Sequence, residues 1–209
     1  MINLFNNIGQ GNKVKLLKLL EANIFTYQEN VYINNLVKDN NFIAIILTGD
    51  IDIIKINYDG QETIIDTLTK DEVFGNIITN INSENYEILT KSRTKLIIID
   101  YDTIINYEET KYQYYNEFIK NLLLLYNEKI IANNERISIL SEKTIRNRLL
   151  EYFRITSLKN NSKNIYVPST YIKLADYLGV DRSAMARELK YLKEEGFIKI
   201  QNKKITLLY

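Results

Sequence analysis

The chain has 209 residues, of which 45% are hydrophobic and 25% charged, a composition suited to one large or two small globular cores. It contains no cysteine, histidine or tryptophan, so disulfides, zinc fingers, iron–sulfur clusters, histidine-ligated haem and Ser-His or Cys-His catalytic pairs are excluded by residue supply. The formal net charge of +1 conceals an asymmetry: residues 1–141 hold 13 Lys/Arg and 19 Asp/Glu, whereas residues 142–209 hold 14 and 7, so the basic back half is the part suited to a polyanion.

In chain order, a short amphipathic helix is expected around Lys13 to Glu21. Short strands then follow at Ile24–Tyr27, Val31–Val37, Phe42–Leu47, Ile51–Asn57, Thr63–Leu68, Tyr86–Thr90 and Leu96–Ile99, all rich in β-branched and aromatic residues. Asp59-Gly60 between two alternating runs predicts a two-residue type I′ hairpin. Many short strands with no long helix among them indicate a sandwich, roll or barrel.

From Thr103 to Leu140 there is no Gly or Pro, and Tyr112, Tyr115, Ile119, Leu122, Tyr126 and Ile130 recur every three or four residues, the pattern of one long helix with an apolar stripe. A helix of ~30 residues spans ~45 Å, more than one small domain covers, so part of the stripe, Tyr115, Ile119, Leu122 and Tyr126, is expected in a seam with a second copy, with packing against the chain's own β-domain as the alternative. Ser141 is the expected N-cap of a further helix, Glu142 to Leu158. Asn160 to Asn164 then reads as a polar loop, Tyr166-Val167-Pro168 as an extended link, and Ser169 or Thr170 as a second N-cap.

Tyr171–Leu178, Gly179-Val180-Asp181 and Arg182–Glu195 read as helix, sharp turn, helix. Leu174, Ala175, Leu178, Val180, Met185, Leu189 and Leu192 hold the pair together, and Gly179 supplies the left-handed turn residue. Gly196–Ile200 and Lys204–Leu207 follow as a hairpin with a basic tip, or wing. A helix fits the major groove with its N-terminal residues at the base edges, which makes Arg182, Ser183 and Arg187 the candidate base readers. Ser169, Thr170, Lys190, Lys203 and Lys204 are the candidate phosphate contacts.

The run from Leu174 to Ile198 resembles the helix-turn-helix of the Crp/Fnr family of bacterial transcription regulators. Leu47-Thr-Gly-Asp-Ile-Asp-Ile53 resembles the glycine turn of that family's cyclic-nucleotide-binding-type β-roll, and Asp71-Glu-Val-Phe-Gly75 the turn that opens its phosphate cassette. Gly49, Gly60, Gly75, Gly179 and Gly196 fall where this architecture turns. The resemblance covers nearly the whole chain and implies an α+β fold. Its parts are an N-terminal antiparallel, jelly-roll-like β-roll sensor over residues 1–102, a long dimerisation helix over 103–140 and a winged helix-turn-helix over 141–209.

Carried over residue by residue, the family's Arg-Glu-x-x-x-Arg reading pattern keeps Arg182 and Arg187 but has Ser183 in place of the Glu, so the preferred half-site is expected to differ from the family's usual one. The effector cassette departs further. Asn76 stands where cyclic-AMP-binding members place a ribose-binding Glu, and Glu84-Asn85 stand for the Arg-Ser or Arg-Thr pair that meets the phosphate. Glu84 would oppose a phosphate, and Lys129-Ile130 replace the pair that meets the base. Gly75, Asn76, Glu84 and Asn85 therefore read as a degenerate cassette, and the expectation is no cyclic AMP, no haem and no iron–sulfur cluster, with any other effector undefined.

No apolar run reaches the ~18 to 20 residues of a membrane span, and Met1 to Leu20 lacks a cationic stretch followed by an apolar one. The expected protein is a cytoplasmic, non-enzymatic homodimer that binds palindromic double-stranded DNA. Contact with RNA polymerase is implied by the resemblance only, and a sensor whose winged helix binds a protein is the alternative.

Overall fold

The structure is a computed structural model that describes residues 3–33, 41–75, 86–106, 111–167 and 170–209. The chain divides into two compact units, Met1–Asn127 and Glu128–Tyr209. No helix among the described residues is long and apolar enough to cross a membrane.

In the first unit, α1 (Gln10–Leu19) is followed by β1 (Asn23–Tyr27), β2 (Phe42–Thr48), β3 (Ile51–Ile56), β4 (Glu62–Leu68), β5 (Val73–Gly75), β6 (Tyr86–Thr90), β7 (Thr94–Asp100) and a short α2 (Tyr101–Ile105). The strands form a four-stranded sheet, β1-β7-β2-β5, and a three-stranded sheet, β4-β3-β6, with every pairing antiparallel. The α+β expectation and the β-rich N-terminal half agree with this arrangement.

Strand periodicity explains the layers. On β2 and β7, Phe42, Ala44, Ile46, Leu96 and Ile98 join Ile51, Ile53, Leu68, Phe74 and Ile88 in one buried cluster, while the alternate residues Ile43, Ile45, Ile97 and Ile99 join a second. Successive side chains on a strand point to opposite faces, so the four-stranded sheet is buried on both. Its second face is covered by Leu16 and Leu20, by Ile104, and by Tyr115, Phe118, Leu122 and Leu125 from the long helix α3 (Gln113–Ser141). Asn121, itself buried, donates from Nδ2 to the Leu4 carbonyl at 3.1 Å and the Asn6 carbonyl at 2.8 Å, which ties the N-terminal segment to α3.

This packing corrects the expected dimer seam. Tyr115 and Leu122 are buried within the chain's own β-unit, and Ile119 and Tyr126 pack partly buried against the same cluster, because the outer face of the four-stranded sheet is apolar and this stripe is what covers it. The exposed apolar side chains of α3 lie elsewhere: Leu123, Leu124, Ile130, Ile131 and Ile137.

Other boundaries also moved. The β3–β4 connection is a three-residue loop in place of the expected two-residue turn: Gly60 N–H donates to the Asn57 carbonyl and Asn57 N–H to the Gln61 carbonyl. Only Gly60 of the Asp59-Gly60 pair has positive φ, the pattern of a type I turn closed by a left-handed glycine. Of the expected strand Val31–Val37, Tyr32 forms an isolated bridge to Leu89, and residues 34–37 lie outside the described residues. β5 was not foreseen, being only three residues long.

In the second unit, the end of α3 is followed by α4 (Ile145–Asn160), β8 (Asn164–Tyr166), α5 (Tyr171–Leu178), α6 (Arg182–Glu194), β9 (Ile198–Gln201) and β10 (Lys204–Leu207). Ser141 is the last residue of α3, its hydroxyl donating to the Ile137 carbonyl; the cap of α4 is Thr144, whose Oγ1 accepts from the Asn147 amide at 3.1 Å. The last strands form a sheet of order β8-β10-β9. The expected loop and link around Asn164 to Tyr166 therefore supply a wing strand, because β10 would otherwise be an unpaired edge.

The five glycines singled out in the sequence all have positive φ. Gly75 carries the strictest demand. Its φ is +139° and a Cβ would lie 2.1 Å from the Phe42 carbonyl oxygen, because β2 and β5 pair at Ile43 and Gly75. Gly75→Ala is expected to destabilise the chain by about 2–4 kcal/mol, measured as a lower urea midpoint; an unchanged midpoint would contradict this packing.

Candidate nucleic-acid interface

The second unit is built around one cluster in which Leu174, Ala175 and Leu178 of α5 meet Met185, Leu189 and Leu192 of α6, with Leu149, Phe153, Ile198, Ile205 and Leu207 around them. At 100° per residue, Met185, Leu189 and Leu192 define the inner side of α6. The opposite side carries Ser183, Arg187 and Lys190, with Arg182 at the first position; all four are exposed. Three of these are among the base-reading candidates: Ser183 and Arg187 share the outward face, and Arg182 is exposed at the first position of the helix.

The turn that presents α6 is closed from both ends. Gly179 has φ +61°; the Val180 amide donates to the Ala175 carbonyl and the Gly179 amide to the Asp176 carbonyl, the bonding of a Schellman motif. Asp181 then caps α6, its Oδ1 accepting from the Ala184 amide at 2.8 Å. Arg148 completes the turn: its Nη1 donates to the Leu178 and Gly179 carbonyls at 3.0 and 3.1 Å, and its Nε to the Glu142 carbonyl at 3.0 Å.

Thr170 caps α5, Oγ1 accepting from the Lys173 amide at 3.2 Å. The wing turn is tied to the same end of α5, since Val167 N–H donates to the Lys203 carbonyl and the Tyr171 hydroxyl to the Asn202 carbonyl at 3.4 Å. Thr170 and Lys203 are thus held in one region. Lys203 is exposed and Lys204 half-buried in the β10 ladder opposite Tyr166 and Gln201. Lys190 lies 3.7 Å from Glu194 on its own helix, with both side chains mostly exposed, a weak and water-screened pairing. Ser169 lies outside the described residues, as do Asn76, Glu84 and Asn85 of the expected cassette; Gly75 ends β5.

The basic excess of this half is sorted by partner. Arg146 pairs with Glu188 and Glu195 and stacks over the Phe197 ring; its bond holds the Glu195 carboxyl below the ordinary carboxylate range. Arg154 pairs with Glu151, and Lys159 with Glu135. Among the described residues, no ion pair engages Lys173, Arg182, Arg187, Lys193, Lys199, Lys203 or Lys204. Apart from Glu194, which meets Lys190 weakly, the acids in ion pairs engage inner and lateral cations, so Arg182, Arg187 and the lysines of the wing keep their positive charge.

Sequence reasoning did not separate Arg146 and Arg148 from the other cations. A signal was present: both lie in the first turn and a half of α4, a helix with no acidic residue in its first turn, where a cation opposes the helix dipole. Cations placed against that preference have partners elsewhere.

The arrangement is the one that defines a class. The chain has the fold of transcription regulators of the Crp/Fnr type. The ligand-complexed regulator CprK superposes with a TM-score of 0.64 at 15% identity, covering 93% of this chain and 91% of its own. CooA from Carboxydothermus hydrogenoformans gives 0.58 at 15% identity over 93% and 90%. The catabolite activator protein of Thermus thermophilus gives 0.53 at 18% identity over 98% and 93%. In sequence, the chain is 28% identical over 192 residues to ycf28 of Porphyra purpurea, a candidate HTH-type transcriptional regulator, covering 90% of this chain and 78% of that protein. No family model matches the chain.

One internal bond of this unit is pH-sensitive. Glu151 accepts from Arg154 Nε at 2.7 Å and Nη2 at 2.8 Å and from the Ser138 hydroxyl at 2.8 Å. Chiefly through Arg154, these bonds bring its carboxyl from an ordinary 4.5 down to about 2. A carboxyl depressed on folding stabilises the folded state above its unfolded value and loses that contribution as pH falls towards its folded one. Thermal melts from pH 5 down to pH 2 are therefore expected to fall less steeply for Glu151→Gln than for the native chain; equal slopes would show that the bond contributes nothing.

Proposed function

We propose that the protein is a sequence-specific DNA-binding transcription regulator that acts as a homodimer on inverted-repeat duplexes. The observation that carries the reading is the exposed stripe on α6, where Arg182, Ser183 and Arg187 stand without an acidic partner among the described residues at the end of the helix nearest the turn. Arg bridges guanine O6 and N7 in a bidentate contact, and a helix N-terminal end is the part that reaches base edges. Thr170, Lys203 and Lys204 supply phosphate contacts that set register without reading sequence.

Dimerisation is supported by the outward face of α3. Leu123, Ile130 and Ile137 are 62%, 58% and 62% exposed and recur every seven residues, with Leu124 and Ile131 beside them. A seven-residue apolar repeat is the pattern of a two-helix seam, and a two-fold dimer places its reading helices about 34–36 Å apart on successive turns of DNA. The regulator is not gated by cyclic AMP in this reading: Glu84 takes the sequence position at which the cyclic-AMP-binding members it resembles carry a phosphate-neutralising Arg, and a carboxylate there would repel a cyclic phosphate.

The test is fluorescence anisotropy on duplexes selected by the native chain from a random pool, over a salt series. Arg187→Ala is expected to cost about 1–3 kcal/mol and to relax preference at one base pair. Lys203→Ala should weaken every duplex alike and lower the salt slope by about one, and Ile130→Glu should give a monomer that binds the inverted repeat poorly. No selected duplex at any salt, or identical behaviour of the two cation variants across sequences, would overturn the reading.

A further inference from the structure

We propose that Arg148 is a positioning residue through which the segment between α3 and α4 sets the place of the α6 reading helix. The proposal deepens the DNA-binding reading above and rests on it. Each end of the coupling is a backbone carbonyl. On one side is Glu142, in the short segment that leaves α3; on the other are Leu178 and Gly179, at the turn into α6.

The chemistry of the turn explains why a guanidinium is needed there. The Schellman bonds use the Ala175 and Asp176 carbonyls, which leaves those of Leu178 and Gly179 pointing out of the end of α5 with no amide to meet them. A cation is favoured at this negative helix end, and Arg offers several donors in a rigid planar fork. Nη1 satisfies both carbonyls while Nε holds Glu142, so the plane cannot turn towards one without moving the other. Gly179 is packed against the same group: a Cβ there would meet Leu140 Cδ2 at 3.2 Å and Arg148 Nη1 at 3.5 Å.

Only two residues separate Gly179 from Arg182, the first residue of α6. A displacement of the α3–α4 segment at Glu142 is therefore delivered to the origin of the reading helix through one side chain. Arg146, two residues earlier, grips Glu188 and Glu195 farther along and just beyond α6, so the first turn of α4 holds α6 near both ends. Arg148 commits Nε and Nη1 to carbonyls and is half-buried, whereas Arg182 and Arg187 are exposed, which separates its role from theirs.

The experiment uses the full chain carrying Arg148→Lys, which keeps the charge and the stem but loses the fork. Two readouts are taken: anisotropy on the selected inverted repeat and on an unrelated duplex over a salt series, and amide hydrogen exchange by mass spectrometry. The expected result is an about tenfold loss of preference for the inverted repeat with an unchanged salt slope, together with exchange faster by about tenfold in peptides covering residues 179–184 and not in the β-unit. Arg148→Met, which removes the charge, is measured beside it: a salt slope lower by about one in Arg148→Met would make Arg148 a phosphate contact and overturn the proposal, as would native preference, or exchange that rises evenly through residues 128–209, in Arg148→Lys. If Arg148→Lys does not fold, Arg148→Met is read in the same way, and failure of both to fold overturns the proposal by making the guanidinium a requirement of the unit as a whole. If the native chain selects no duplex, the DNA-binding reading falls by itself, while the exchange pattern still decides the coupling.

Discussion

The connection between α5 and α6 must reverse the chain in three residues, pass through a left-handed backbone, and leave no carbonyl of α5 buried without a donor. Gly179 meets the second demand with φ +61°; the amides of Gly179 and Val180 and the guanidinium of Arg148 meet the third. Asp181 then caps α6 from its own side. Once this turn is fixed, the apolar residues Leu174, Leu178, Met185, Leu189 and Leu192 face each other. The remaining surface of α6 has no choice but to carry Ser183, Arg187 and Lys190 outward. Local backbone chemistry thus decides which side of the helix is presented, and packing holds it there.

Charge follows the same geometry. The chain is nearly neutral as a whole, at +1, yet its acids and bases are not mixed at random in the basic half. Glu135, Glu151, Glu188 and Glu195 each engage a cation on a lateral or inner surface, where shared hydrogen bonds and partial burial make the pairs worth forming. Apart from Lys190, which meets Glu194, the cations of the outward stripe and the wing are left to the solvent, and so to a polyanion. Residues 142–209 hold 14 bases against 7 acids, and the bases without an acidic partner are concentrated on the outward side of α6 and on the wing.

What the sequence disclosed was whatever depends on short-range chemistry. Six of the seven expected strands are present among the described residues, the glycines at turns have positive φ, and the helix-turn-helix boundaries fall within a residue of their expected places, because each is dictated by two to four neighbouring residues. The long helix shows the opposite case. Its apolar residues form two stripes, and periodicity alone does not say which one faces the chain's own sheet; Tyr115 and Leu122 were assigned outward and lie in the core. Deciding that requires the outer face of β2 and β7, which is distant in sequence. Ser141 failed as a cap for a related reason, since Thr144 competes for the same role three residues on. Arg148 stood out from the fourteen bases of the basic half only by its place at the start of a helix, because its partners are carbonyls, which carry no sequence signature.

In the proposed function, α6 enters DNA from two copies of the chain at once. Hydroxyl-radical footprinting of a duplex selected by the native protein tests this most directly. Two protected backbone patches related by a dyad, with their centres about one helical turn apart, are the predicted result. A single patch with no dyad, or even cleavage along the whole duplex at a concentration that saturates binding, would contradict it.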